Sequence, residues 1–138
     1  MADKKLSEIS SKMRKLDICM LTTQNSRGSL NSRPMSNNGD VEYEGHSYFF
    51  SYENSSAVKD IEVNPQVSLG FEGPKRLYIS VTGRAKIVRN RARMEEHWLK
   101  ELERWFEQGL DTPGIVMIHV RGARIKYWQD EDQGQVKI

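Results

Sequence analysis

Apolar and polar residues follow two different periods along this chain, and the changes of period mark where its elements begin. Leu6, Ile9, Met13 and Leu16 recur three or four apart with charged residues between them, which predicts an amphipathic helix over 4–16. Asp17 to Thr23 is apolar and β-branched, as a strand is, and Asn25-Ser26-Arg27-Gly28 is a turn signal leading into a second strand over 29–36. Asn37 to Asp40 reads as another turn, and 41–44 with 47–52 as a further hairpin around Gly45-His46. Asn54-Ser55-Ser56 offers caps for a helix running to Val63, which Asn64-Pro65 ends because the residue before proline avoids the α region. Gln66 to Phe71 is a short strand.

From Leu77 to Val88 the alternation is clean. Leu77, Ile79, Val81, Ala85 and Ile87 take one face, and Tyr78, Ser80, Thr82, Arg84 and Lys86 take the other. Gly83, in the middle, points to a bend or bulge. Met94, Trp98, Leu102 and Trp105 predict the longest helix, over 91–108. The last strand, 115–129, changes phase: Val116, Ile118 and Val120 are apolar at even positions, Ala123, Ile125 and Tyr127 at odd ones. One extra residue near Arg121-Gly122 restores the face, as a β-bulge does. The tail from Asp130 is expected to fray. Six or seven strands joined by short turns, without regular βαβ alternation, favour a mainly β, antiparallel barrel with flanking helices.

Composition narrows the class of protein. The chain has 138 residues, enough for one domain over 1–138, and its 21 Lys+Arg against 19 Asp+Glu leave a net charge of +2. So small an excess does not argue for nucleic acid, which is not the expected partner. The one cysteine, Cys19, excludes an internal disulfide and suits a reducing compartment. No apolar run approaches the roughly 20 residues of a membrane span, and the N-terminus lacks a signal-peptide core, so the expected setting is the cytoplasm.

Signs of chemistry are sparse. His46, His97 and His119 show no metal-ligand spacing, no metal site is expected, and the common hydrolase, nucleotide-loop and zinc motifs are absent. No catalytic acid or base can be assigned. Three features stand out. Arg33, in Ser32-Arg33-Pro34-Met35, sits where Pro34 forces an edge or irregularity and has the planar fork that binds phosphate. The aromatic strand 48–52 runs into Asn54-Ser55-Ser56, where hydroxyls and free N–H groups at a helix start suit an anion. The basic cluster Arg84, Lys86, Arg89, Arg91 and Arg93 suits a phosphate or a nucleic acid, against the plainer reading of a solvated face compensated by Glu95, Glu96, Glu101 and Glu103.

In order and spacing these pieces resemble the flavin-binding split-barrel family related to pyridoxamine 5′-phosphate oxidase, in its general stress protein branch. The markers are Leu21-Thr22-Thr23, Ser32-Arg33-Pro34-Met35, Tyr48-Phe49-Phe50-Ser51, Val63-Asn64-Pro65-Gln66-Val67, Val81-Thr82-Gly83-Arg84-Ala85, the run from Trp105 to Pro113, and Tyr127-Trp128. The resemblance implies a homodimer of split barrels with FMN at the subunit interface and NAD(P)H or another electron donor. It implies that Arg33 pairs with the phosphate and that Pro34 and Met35 lie along the flavin ring. Phe50 and Ser51 would supply main-chain or hydroxyl contacts, and Ser55 would meet the phosphate. Tyr78 holds a position where the oxidases tend to carry a flavin-contacting glutamine. Trp105 falls in a stretch that approaches the flavin from the partner chain. Where relatives carry a phosphate-binding lysine this chain has Ala57, and Lys59 follows two residues on, about 200° round a helix. The oxidases' substrate-binding arginine and histidine have no match, so vitamin B6 oxidation itself is not expected. The implied activity is that of a small FMN-dependent oxidoreductase. The alternatives are a flavin carrier or sensor without turnover and, less favoured, a nucleic-acid-binding small barrel.

Overall fold

The computed structural model describes residues 2–3, 5–37 and 43–138. Its strands are β1 (Ala2–Asp3), β2 (Ile18–Gln24), β3 (Leu30–Ser36), β4 (His46–Tyr52), β5 (Gln66–Gly73), β6 (Leu77–Val88), β7 (Ile115–Gln129) and β8 (Asp132–Lys137), with helices α1 (Leu6–Met13), α2 (Ser56–Val63) and α3 (Arg91–His97). The strand order is β1-β8-β7-β6-β5-β2-β3, and β4 also pairs with β7. All pairings are antiparallel except the two-residue β1 on β8. The long β7 carries β6 on one side, and β4 and then β8 on the other. The sheet therefore curls with β3 at one end and β4 at the other. Helix α2 leaves β4 and reaches back to β3 through Asp60, spanning the split.

The alternation read from the sequence decides which side is core. Leu21, Leu69, Val81 and Ile125 lie in one cross-strand row and are fully buried, together with Cys19, Phe71, Ile79 and Tyr127 in the next. From the helices, Ile9, Met13, Ala57, Val58 and Ile61 complete this core. The phase change in β7 is resolved as expected: Thr82 pairs with Arg124 and Gly83 with Gly122, leaving Ala123 as the extra, exposed residue. Gly83 is required there, because a Cβ would strike the carbonyl of Arg121. Ala123 itself is thus not a core residue.

Three expectations need correction. The 91–108 helix stops at His97. Trp98 and Leu99 are extended, and short 3-10 segments follow at Lys100–Arg104 and Gly109–Asp111. The break lets Trp98 meet Phe50 edge-on at 4.9 Å and Phe106 at 6.0 Å, while Met94, Leu102, Phe106 and Met117 bury beside them. That packing outweighs the modest helix propensity of the segment, and it leaves Trp105 59% exposed rather than on a buried face. The tail after Asp130 is not frayed. It forms β8 against β7, pinned by the Tyr127 hydroxyl donating to Asp132 at 2.6 Å. The turn expected at 38–40 and the start of the strand expected at 41–44 lie outside the described residues. Tyr43 and Glu44 are not in a strand, and β4 takes β7 as its partner.

Candidate functional site

The start of α2 is built much as its sequence suggests. Ser55 is the N-cap, in an extended conformation, and its Oγ accepts from the Val58 N–H at 3.3 Å. The Ser51 hydroxyl, at the end of β4, donates to Ser55 Oγ at 3.0 Å. Two half-buried hydroxyls thus stand beside the first turn of an eight-residue helix, whose leading N–H groups have no intrahelical acceptors. That is a neutral donor set suited to an anion. Ala57 points into the core, whereas Lys59 is exposed and makes no ion pair among the described residues.

Arg33 occupies a different environment from the one its sequence suggests. Strand alternation turns it to the inner side of β3, where its side chain is only 20% exposed. Its Nη1 donates to Thr23 Oγ1 at 2.7 Å and to the Leu21 carbonyl at 3.3 Å. Its Nη2 lies 3.8 Å from the carboxylate of Asp60, a buried residue of α2. Thr23 Oγ1 passes its own hydrogen to Asp60 at 2.7 Å, and Asn31 Nδ2 adds a second bond at 3.2 Å. Burial lowers the guanidinium's proton affinity, and Asp60 acts in the opposite direction. Asp60, Thr23 and Asn31 are site residues that the sequence did not disclose. Asp60 sits on an amphipathic helix among apolar neighbours, and a buried carboxylate there is the one faint signal.

The remaining candidates separate. Pro34 and Met35 face opposite sides of β3, Pro34 outward and Met35 against the core. The Phe50 ring is buried under α3, so this residue has only its main chain to offer. Tyr78 is 48% exposed and pairs with Trp128 at the far end of β6. Ser51 lies opposite Val116, one residue past the Met117–Val88 pair. Eleven residues of strand, about 36 Å, therefore separate the two levels. Within one chain Tyr78 and Ser51 do not meet. Exposed Trp105 has Arg104 near its ring, at 5.6 Å.

The histidines, unrelated in sequence, converge. His46 Nδ1 and His119 Nε2 are 2.8 Å apart on β4 and β7, and Tyr48 stacks between His97 at 3.5 Å and His119 at 4.7 Å. Burial, then His46, Lys86, Arg93 and His97, push His119 down to about 4. A cavity of about 330 Å³ adjoins them, lined by Tyr48, His97 and Glu96 among others. Among the described residues no three His, Cys, Asp or Glu side chains are arranged to hold a metal.

Comparison with known proteins gives a consistent result. A family model described as "Pyridoxamine 5'-phosphate oxidase like" matches residues 4–138. General stress protein 26 of Bacillus subtilis is 36% identical over 85 residues, a stretch covering 59% of this chain and 60% of that protein's length. Among solved structures, a Clostridium acetobutylicum protein related to general stress protein 26 superimposes with a TM-score of 0.82 at 20% identity, covering 96% of this chain and 94% of the other. General stress protein 26 of Bacillus anthracis gives a TM-score of 0.75 at 23% identity, covering 93% and 96%. These two likenesses establish the split-barrel fold.

Proposed function

The chain belongs to the pyridoxamine 5′-phosphate oxidase-like family, and from that premise we propose that it is an FMN-binding flavoprotein acting as a small oxidoreductase. The observation that carries this reading is the paired Ser51 and Ser55 hydroxyls at the open end of α2. Neutral donors backed by a helix N-terminus suit the FMN phosphate. Lys59 flanks them from the exposed side of the helix. Arg33 shares its charge with Asp60, some five residues or about 7–8 Å along α2 from Ser55. In this reading Arg33 steadies β3 beside the cofactor, with the β3 main chain at Pro34-Met35 and that of Phe50 along the flavin. When bound, FMN would supply the electron transfer, and the chain would place and tune it.

Exposed apolar surface supports a second subunit. Ile18 (48% exposed), Met20 (43%) and Leu30 (70%) lie with Pro34 on the outer face of β2 and β3. In this reading a second copy of the chain covers them, and Trp105 and Tyr78 serve the flavin of the neighbouring subunit.

Titrating purified protein with FMN tests the reading. Flavin fluorescence should quench with saturation, and replacing both Ser51 and Ser55 by alanine should weaken binding about tenfold or more, the order expected for lost charge-assisted bonds. Unchanged flavin fluorescence on mixing would overturn it. A carrier or sensor without turnover is the second reading, favoured by Ala57 at the usual lysine position and by an Arg33 that is already paired. It gains if NADPH and NADH reduce the bound flavin no faster than free FMN.

A further inference from the structure

A buried carboxylate stands close to the hydroxyl pair at the start of α2, where an anionic ligand is the one kind it repels. Asp60 follows the Ser55 cap by five residues, and its side chain is only 9% exposed. Its Oδ2 accepts from Thr23 Oγ1 at 2.7 Å and from Asn31 Nδ2 at 3.2 Å, with Arg33 Nη2 at 3.8 Å. The orientation of Arg33 does not depend on that charge. Arg33 Nη1 donates to Thr23 Oγ1 at 2.7 Å and to the Leu21 carbonyl at 3.3 Å, both closer than the carboxylate. A carboxamide at position 60 would still offer an oxygen to the hydrogens of Thr23 and Asn31. What the carboxylate alone adds is a negative charge. A buried ion pair contributes little to folding beyond a neutral, well-packed replacement, so that charge matters chiefly to a charged ligand.

The charge balance around the cap is therefore close to zero. Arg33 and Asp60 cancel. Ala57 between Asp60 and the cap is apolar and buried, and the donors at the cap itself are the neutral Ser51 and Ser55 hydroxyls and helix N–H groups. Arg89 is taken up by Glu53 and Glu62 at the surface. Lys59 is exposed, where water screens it. A phosphate monoester carries about −1.5 to −2 at neutral pH. Five residues of helix put Asp60 about 7–8 Å from the Ser55 end. At that range, in a medium between protein and water, a carboxylate lowers the affinity of such a group by the order of tenfold. An uncharged ligand tail feels no such effect.

We propose that Asp60 is a specificity-determining residue of the flavin site: by cancelling Arg33 it lowers the preference for phosphorylated FMN over uncharged riboflavin. This rests on the flavin reading above. The test is fluorescence titration of the full-length wild type, D60N and the doubly neutral R33Q/D60N with FMN and with riboflavin at low salt. A urea transition for each confirms that it is folded. D60N should bind FMN about five- to tenfold more tightly than wild type and riboflavin within about twofold of it. R33Q/D60N should give that gain back, because the charge of Arg33 supplies it. Salt of about 0.5 M should shrink the difference between wild type and D60N. A purely structural role for Asp60 would move both flavins together. The wild type supplies a check that needs no variant: with Arg33 cancelled, its FMN affinity should change by no more than about twofold between about 20 and 300 mM salt. Folded D60N that binds FMN no more tightly, or that shifts both flavins alike, overturns the inference and leaves the flavin reading standing. So does R33Q/D60N that keeps the full gain, or a fall in wild-type FMN affinity of about fivefold or more over that salt range. If none of the three proteins binds either flavin, the flavin reading falls and this inference with it.

Discussion

Arg33 and Arg121 are the same residue type on strands of one sheet, and they show how side-chain direction decides what a charge can do. Arg33 points inward, is four-fifths buried, and has its own carboxylate, hydroxyl and carbonyl partners. Arg121 points outward opposite Arg84 and has no partner among the described residues. A charge held inside must be neutralised there, because desolvation without compensation is prohibitive. A charge on the surface is tolerated by water and remains available to a ligand. The inner arginine is thus tied to the fold, and the outer one is free to bind.

The contrast can be broken at several points. The largest effect is expected from Gly83→Ala at the bulge that keeps inner and outer faces in phase. Its Cβ would collide with backbone at Arg121, so the urea midpoint should fall by the equivalent of about 3 kcal/mol. Asp60→Ala should follow at about 2–3 kcal/mol, because it leaves Arg33 unpaired in a mostly buried place. Asp60→Asn, which keeps the bonds to Thr23 and Arg33 sterically feasible, should cost less. If Asp60→Ala unfolds at the wild-type midpoint, Arg33 is not the internally neutralised group described above.

A pH dependence comes next. His119 stays neutral in the folded chain down to about 4, whereas unfolded it takes up a proton near about 6.5. The unfolded state binds more protons between those values, so stability should fall as pH drops from about 6.5 towards 4. With partial solvent screening the loss should be about 1–2 kcal/mol. Denaturation curves collected through that window should flatten in His119→Gln. The smallest effect belongs to the outer face. Arg121→Gln should change stability by no more than about 0.5 kcal/mol, with a gain at low salt that vanishes at high salt. A large destabilisation there would show that Arg121 has a structural partner after all.

Much of this was legible along the chain. The two-residue period of β6, the phase slip in β7 and the cap at Ser55 are local signals, and each depends on neighbours within a few residues. The resemblance to a flavin-binding family likewise rested on local motifs. What was misread involved distant partners. The 91–108 segment looks helical by itself, and only Phe50, arriving from β4, draws Trp98 out of the helix. The tail looks like a frayed end until β7 offers its free edge. Asp60 appears as one more helix carboxylate until the curl of the sheet brings Arg33 and Thr23 to it.

The sequence by itself determined the alternation, the caps and the bulge, and therefore which side chains face inward, because those follow from backbone geometry over short range. The tertiary structure alone decided which of those residues meet. Pairing register across residues far apart in sequence placed Arg84 beside Arg121, His46 beside His119 and Ser51 beyond the reach of Tyr78. Net charge and local spacing carry no record of that register, since it is set by how the whole sheet closes around its core.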